Sequence, residues 1–166
     1  MQKYIPGIYQ KSIYTIDYSK LMTKGIKCLL FDLDNTIIVP HTSEVSEKAK
    51  DLFISLKQKG FKVIIFSNSL KSKVKVHQQF LKVNAISLAC KPLSYNFKKI
   101  IKKTNFKPSE IAIIGDQLLT DIAGGNKVGI TTILVNPVVD KNRFFENMKM
   151  RSLERKNLFY KGRYYD

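Results

Sequence analysis

A chain of 166 residues, 44% of them hydrophobic and 11% aromatic, is long enough to bury a substantial core, and we expect one domain over residues 1–166. Its 29 basic residues against 13 acidic ones give a net charge of +16, which favours an anionic partner such as nucleic acid, anionic lipid or a phosphorylated substrate. No apolar run approaches the roughly 20 residues that span a bilayer, and Lys3 and Pro6 interrupt the N-terminus. We therefore expect neither a membrane helix nor a signal peptide, and predict a soluble, intracellular chain.

Short apolar runs alternate with helical patterns along the chain. The apolar runs predict strands at 28–31, 61–66, 85–89, 111–114 and 131–135, and the helical patterns predict helices at 43–59, 70–81, 93–103 and 117–127. Ser43 is the expected N-cap of the first helix, and Gly60 is expected to end it. Short, nearly all-apolar strands separated by helices predict a parallel sheet covered on both faces, a three-layer α/β/α Rossmann-like fold.

Two carboxylates follow the first predicted strand, in the segment "FDLDNT" at 31–36. Burying ionised carboxylates without a partner is costly, so either the pair is solvated on a turn or a cation holds it. We expect Asp32 at a solvent-facing turn, with Asp34 on the same side and one step further along, where it could serve as an acid or a base. Taken alone, the pair could also be an ordinary capped turn.

Polar residues also follow the later predicted strands. Ser67 and Asn68 follow 61–66, Lys91 follows 85–89, and Asp116 follows 111–114. Each one alone could be a helix cap, a turn or one more surface lysine. Ligands bind outside the carboxyl ends of the strands in parallel sheets, so four polar clusters at this edge indicate one site.

The residue types at this edge suit phosphoryl transfer. Mg²⁺ prefers oxygen ligands and keeps several waters, so Asp32 and Asp116 with a substrate phosphate would suffice to hold it. The Ser67 hydroxyl and the amide of Asn68 can contact an anion, and Lys91 can neutralise phosphate charge. Phosphoryl transfer needs mainly positioning and charge stabilisation, which these groups can supply.

Four motifs are similar, in the same order, to those of the haloacid dehalogenase (HAD) superfamily. They are "DLDNT" at 32–36, "FSNS" at 66–69, "KP" at 91–92 and "GDQLLTD" at 115–121. The resemblance covers a core of about 26–137. It implies that Asp32 is a nucleophile that forms an aspartyl-phosphate. It also implies that Asp34 protonates the leaving oxygen and then deprotonates the attacking water.

The resemblance implies the rest of the site as well. Mg²⁺ would bind the carboxylate of Asp32, the main-chain carbonyl of Asp34 and the carboxylate of Asp116. Thr36 would support the site, and Asp121 would orient metal-bound water or pair with the motif lysine. The residues that the resemblance assigns to the phosphoryl group are Ser67, Asn68 and Lys91.

More narrowly, the chain is similar end to end to the YqeG-type phosphatidylglycerophosphate phosphatases. "KGIKCLLFDLDNT", "GDQLLTDIAGGN" and "FFENMKMRSLER" carry this similarity. Ser69 stands where Asn is common and Ile122-Ala123 vary a flanking pair, but neither departure removes a catalytic group. The intervals 37–66 and 69–90 are too short for a cap domain. Capless members of the superfamily have open sites that tend to serve large substrates.

The branch implies a Mg²⁺-dependent phosphatase that converts phosphatidylglycerophosphate to phosphatidylglycerol, peripheral on the inner face of a membrane. The charge distribution is compatible, with nine lysines and no acidic residue across 71–103. All four arginines lie among aromatic residues in a C-terminal tail at about 138–166, which is typical of an interfacial segment. A helix packed on the sheet is the alternative for this tail.

Two other functions stay open at this point. The same chemistry could act on a soluble sugar phosphate, a nucleotide or a phosphoprotein. Alternatively, the chain could be a basic RNA-binding module with a vestigial site. Retention of every catalytic group and the lack of an RNP motif argue against that module, so nucleic acid is not the expected partner.

Overall fold

One parallel sheet organises the protein in the computed structural model, which describes residues 2–139. Its six strands lie in the order β1-β6-β5-β2-β3-β4. The strands are β1 Ile8–Gln10, β2 Cys28–Phe31, β3 Lys62–Phe66, β4 Asn84–Ile86, β5 Ile111–Gly115 and β6 Thr131–Val135. The helices are α1 Tyr18–Thr23, α2 Glu47–Gln58, α3 Lys71–Leu81, α4 Ser94–Thr104 and α5 Ala123–Val128.

The central strand β2 shows how the sheet is covered on both faces. Leu29 and Phe31 belong to a core cluster with buried residues of α1, α2 and α3, whereas Cys28 and Leu30 belong to a second cluster with buried residues of α4. This alternation follows from the two-residue period of a strand. Since both faces are apolar, β2 is buried along its whole length, as a continuous hydrophobic run predicts.

The predicted three-layer α/β/α fold is confirmed, and residues 2–139 contain no cap domain. Between the first and second motifs the chain forms only α2 and β3, and between the second and third only α3 and β4. Every strand pairing is parallel, so the loops after β2, β3, β4 and β5 leave from the same edge of the sheet. We call this the carboxyl edge.

Several predicted boundaries differ from those observed. The helix expected to begin at Ser43 begins at Glu47, because the Ser46 hydroxyl accepts a hydrogen bond from the Ala49 N–H at 3.2 Å and caps it there. The strand predicted at 85–89 is β4 at 84–86, and the first turn of the helix predicted at 117–127 is a π-helical turn over Leu118–Ile122. The tail predicted at 138–166 lies outside the described residues beyond 139.

Candidate active site

Asp32 is buried at the end of β2, not solvent-facing as expected from the sequence. The residue is 7% exposed, and its N–H donates to the carbonyl of Ile114 on β5 at 2.9 Å. The Nζ of Lys91 lies 2.6 Å from its Oδ1. The sequence left two possibilities for this carboxylate, solvation on a turn or pairing with a cation. The structure shows pairing with a cation, the ammonium of Lys91.

Lys91 joins a second buried carboxylate to the first. Its Nζ also lies 2.6 Å from Oδ1 of Asp121, which belongs to the π-helical turn after β5. Burial alone would lower the pKa of Lys91, but Asp121 and Asp32 outweigh it and raise that pKa above its usual value, so the ammonium stays charged. A Cβ on Gly115 would lie 2.3 Å from Oδ2 of Asp121, so glycine is needed there for Asp121 to approach.

Asp116 and Thr36 complete the acidic side of the site. The Thr36 hydroxyl lies 3.3 Å from Oδ1 of Asp116 and 3.4 Å from Oδ2 of Asp32, where it can donate to either. Carboxylate oxygens of Asp32, Asp116 and Asp121 lie within 4.8 Å of one another. Lys91 therefore pairs with two of three clustered carboxylates.

The electrostatics of this cluster favour an additional cation. Burial, and then repulsion from Asp32 and Asp121, raise the pKa of Asp116 to about 8. Burial also raises the pKa of Asp32 to about 6, although Lys91 acts in the opposite direction. Mg²⁺ is a hard dication that binds carboxylate oxygens, and its charge would offset the repulsion between them.

Asp34 is turned away from this cluster toward α3. Its carboxylate accepts a hydrogen bond from the Ser69 hydroxyl and forms an ion pair with Lys73. Burial would raise the pKa of Asp34, but the hydrogen bonds from Lys73 and Ser69 outweigh it and hold that pKa below its usual value. Asp34 is consequently ionised in this arrangement.

The structure brings in two partners that sequence reasoning missed, Lys73 and Ser69. Nothing in the sequence separates Lys73 from the other lysines of 71–103. Only the start of α3 at Lys71 places Lys73 on the first turn, beside the loop that carries Ser69.

Ser67 and Asn68 lie at the end of β3, as predicted. Ser67 is buried, and its hydroxyl accepts a hydrogen bond from the Ser69 N–H at 3.1 Å. The carboxamide of Asn68 is paired with the main chain of Lys91: its Nδ2 donates to the carbonyl at 3.1 Å, and its Oδ1 accepts from the N–H at 2.8 Å. Because the side chain holds the Lys91 loop, a phosphate contact from Asn68 would have to come from its main-chain N–H.

The class of protein follows from the parallel α/β/α sheet and the polar residues at its carboxyl edge. These are Asp32 and Asp34 after β2, Ser67 after β3, Lys91 after β4 and Asp116 after β5. It is a hydrolase of the HAD superfamily. A family model described as "Mitochondrial PGP phosphatase" matches residues 1–139. The chain belongs to this family and is a HAD-family phosphatase.

Individual relatives agree with this assignment. The chain is 34% identical over 155 residues to the Bacillus subtilis protein named "Probable phosphatase YqeG", covering 93% of this chain and 90% of that one. It is 27% identical over 165 residues to "Phosphatidylglycerophosphate phosphatase 1, chloroplastic/mitochondrial" of Arabidopsis thaliana, and there spans only 46% of the relative's length.

Solved structures show the same fold. The "putative HAD-hydrolase YfnB" of Bacillus subtilis, solved with magnesium bound, superposes with a TM-score of 0.58 at 17% identity. The superposition covers 70% of this chain and 90% of that one.

Proposed function

We propose that this protein hydrolyses the terminal phosphomonoester of phosphatidylglycerophosphate, giving phosphatidylglycerol and phosphate, through an aspartyl-phosphate on Asp32. The observation that carries the proposal is the buried Asp32 carboxylate 2.6 Å from Lys91, in a chain of the PGP phosphatase family. A nucleophile attacking a phosphate dianion must overcome charge repulsion, which an adjacent ammonium reduces.

The proposed reaction has two steps. In the first, a carboxylate oxygen of Asp32 attacks phosphorus, the bond to the glycerol oxygen breaks, and that oxygen takes a proton from Asp34. In the second, water attacks phosphorus, its proton passes to Asp34, and the bond to the Asp32 oxygen breaks to release phosphate. Asp34 must take up a proton before the first step, since its pKa is lowered in the arrangement described here.

Lys91, Ser67 and the main-chain N–H of Asn68 would hold the phosphoryl oxygens. Lys91 is best placed for this, because its charge is fixed by Asp32 and Asp121 and its loop is fixed by the Asn68 side chain. Asp121 then acts on substrate only through Lys91.

Mg²⁺ is the proposed cofactor. The carboxylates of Asp32 and Asp116, with the main-chain carbonyl of Asp34, would hold it, and Thr36 would keep the two carboxylates oriented. The ion supplies charge neutralisation for the phosphoryl group and for the carboxylates. The donor set fits this ion, because the cluster is made of carboxylate oxygens whose pKa values are raised by burial and mutual repulsion.

The open site supports a large substrate. The described residues contain no cap over the carboxyl edge, so a lipid headgroup could enter while its acyl chains stay in a bilayer. No helix within residues 2–139 is both long and apolar enough to cross a membrane. We propose peripheral binding, on the inner face of a membrane, because a net charge of +16 favours an anionic lipid surface.

The tail from 140 onward is proposed to contribute to this binding. The last described residues lie beside the catalytic loop, where the Val138 N–H donates to the carbonyl of Asn35 at 2.8 Å and the Val139 N–H to its Oδ1 at 3.0 Å. The described part of the chain therefore ends on the same edge of the sheet as the site. Deleting 151–166 should weaken binding to anionic vesicles and lower activity on vesicle-borne substrate more than activity on a small soluble phosphomonoester. Equal loss on both, with a lower Tm, would indicate a core-packing tail instead.

A substrate panel tests the proposal. Phosphate release is measured from phosphatidylglycerophosphate in vesicles, glycerol 3-phosphate, a sugar phosphate and a nucleoside monophosphate, with Asp32→Asn as the blank. We expect kcat/KM to be highest for the lipid. A soluble substrate turned over better than the lipid would overturn the substrate assignment, and equal release by Asp32→Asn would overturn the site.

A further inference from the structure

Four large apolar side chains are exposed around the mouth of the site. Leu70, Leu88, Leu93 and Tyr95 are 67%, 51%, 60% and 72% exposed, respectively. They lie in the loops after β3 and β4 and at the first residues of the helices that follow, on the carboxyl edge. We call these four residues the apolar rim. Large apolar residues exposed at the same edge of the sheet as a site are candidates for a binding surface.

Hydrogen bonds join the two loops that carry the rim. The Leu88 N–H donates to the carbonyl of Ser69 at 3.0 Å, next to Leu70. The Ala89 N–H donates to the carbonyl of Ser67 at 2.9 Å. The rim is thus built on two loops held side by side, and both contribute residues to the site.

Local folding preferences disfavour leucine at three of the four positions. Leu70 and Leu93 are the N-cap residues of α3 and α4 and make no side-chain capping hydrogen bond, where Ser, Thr, Asn or Asp would stabilise the helix. Leu88 has a φ of 49°, in the left-handed region that favours glycine and asparagine. A polar residue at each position would suit the fold better, so the leucines are not explained by stability.

Positive charge surrounds the rim. Residues 71–103 include nine lysines and no acidic residue; seven of the nine are exposed, whereas Lys91 is buried in the site and Lys73 is paired with Asp34. Lys98 and Lys99 are exposed and follow Tyr95 by one turn of α4, which places them on its face of the helix. Exposed apolar side chains flanked by lysines complement an anionic bilayer, where apolar groups enter the acyl boundary and ammonium groups meet lipid phosphates.

We propose that the apolar rim inserts into the interface of an anionic membrane, so that the mouth of the site opens at the level of the lipid headgroups. This inference rests on the proposed function, because it names the surface by which the enzyme meets a membrane-borne phosphomonoester. The rim borders the Lys91 loop, so a terminal headgroup phosphate could reach Asp32 while the lipid remains in the bilayer.

Vesicle binding by a rim variant tests the inference. The variant combines Leu70→Ser, Leu88→Asn and Leu93→Ser in the full chain, and the control combines Met22→Gln, Ile54→Gln and Val76→Gln, three exposed apolar residues outside the rim. Binding is measured by flotation with vesicles of equal parts phosphatidylglycerol and phosphatidylcholine. We expect a loss of about tenfold or more for the rim variant, since each buried apolar group contributes to insertion, and no comparable loss for the control.

Stability and soluble-substrate activity separate a binding defect from a folding or catalytic defect. The Tm of the rim variant should equal or exceed that of wild type, and its hydrolysis of glycerol 3-phosphate should be unchanged. Wild-type binding by the rim variant, or an equal loss in the control, would overturn the inference. So would a wild-type dimer that the rim variant converts to monomers, since a second copy would then cover the rim. Vesicle binding and Tm require no turnover of the lipid. Failure of this inference can therefore be distinguished from failure of the proposed substrate, which the substrate panel tests.

A fluorescent reporter gives a direct measurement of insertion. The sequence has no tryptophan, so Leu93→Trp adds a single one on the rim, and Ile54→Trp adds a matched one on α2. Anionic vesicles should shift the emission of the Leu93→Trp protein to the blue and leave that of Ile54→Trp unchanged. No shift at position 93, or equal shifts at both positions, would contradict insertion by the rim.

Discussion

Lys91 and Asp121 form a buried ion pair, with the ammonium nitrogen 2.6 Å from a carboxylate oxygen, and the same nitrogen lies 2.6 Å from Asp32. The lysine comes from the loop after β4, and its two carboxylate partners come from segments after β2 and β5. One cation thus links three loops at the carboxyl edge. It fixes the position of the proposed nucleophile and remains charged for phosphate.

Removing this cation should destabilise the fold. Lys91→Met leaves Asp32 and Asp121 buried without their partner, so we expect the free energy of unfolding to fall by about 3–5 kcal/mol. Urea denaturation without magnesium measures the change. The exposed Lys98→Met is the matched control and should change stability by less than about 0.5 kcal/mol. Equal, small effects of both substitutions would show that the ion pairs of Lys91 with Asp32 and Asp121 contribute nothing to the free energy of unfolding.

Magnesium should stabilise the folded protein by binding at the acidic cluster. An ion that binds only the folded state raises Tm by mass action, and chelation should abolish both the rise and the phosphatase activity. Asp116→Asn should remove the magnesium-induced rise, because one proposed carboxylate ligand is lost. A full magnesium-induced rise in the Tm of Asp116→Asn would place the ion elsewhere. Full phosphatase activity in excess chelator would exclude a metal-dependent site.

The same substitution should also change how metal-free stability depends on pH. Burial and the neighbouring carboxylates raise the pKa of Asp116 from 3.8 to about 8. The folded state therefore holds a proton that the unfolded state releases, and this contribution to stability is lost as the pH rises between those two values. The Tm of Asp116→Asn minus that of wild type should increase with pH across this window. A difference that is constant over the window would contradict the raised pKa.

The ion pair between Lys73 and Asp34 should set the pH range of the first chemical step. Lys73→Gln removes one of the two hydrogen-bonding partners that hold the pKa of Asp34 down and leaves the other, Ser69, so that pKa should rise. Because the first step requires a protonated Asp34, the alkaline limb of kcat/KM for glycerol 3-phosphate should move to higher pH. Lys75→Gln, on the same helix and exposed, is the control and should leave the profile unchanged. An unmoved alkaline limb in Lys73→Gln would argue against Asp34 as the acid.

The positions of the site residues could be predicted because they depend on topology. Parallel strands end at one edge of the sheet. The position of Asp32, Lys91 and Asp116 after apolar runs is therefore sufficient to predict that they lie close together. The burial of Asp32 could not be predicted, because it results from packing against β5 and from the long side chain of Lys91.

Other features lacked a local signal. The edge strand β1 has only the three residues Ile8–Gln10, too few for a periodic pattern, and it is defined by its pairing with β6. The partnership of Lys73 with Asp34 depends on where α3 begins. Ser43 and Ser46 offer the same capping hydroxyl three residues apart, so the sequence alone does not show which of them caps α2. The exposure of the rim leucines likewise follows from loop geometry and not from composition.

Trapping of a covalent intermediate tests the central claim most directly. Phosphatidylglycerophosphate carrying a labelled terminal phosphate is mixed in vesicles with excess enzyme, the reaction is quenched in acid, and the labelled peptide is identified. We expect hydroxylamine-sensitive label, as for an acyl phosphate, on the peptide that contains Asp32, and none in Asp32→Asn, which should retain its fold and lose about 10⁴-fold or more of the activity. Release of phosphate by wild type with no label on the protein, or label on any other residue, would contradict the proposed role of Asp32.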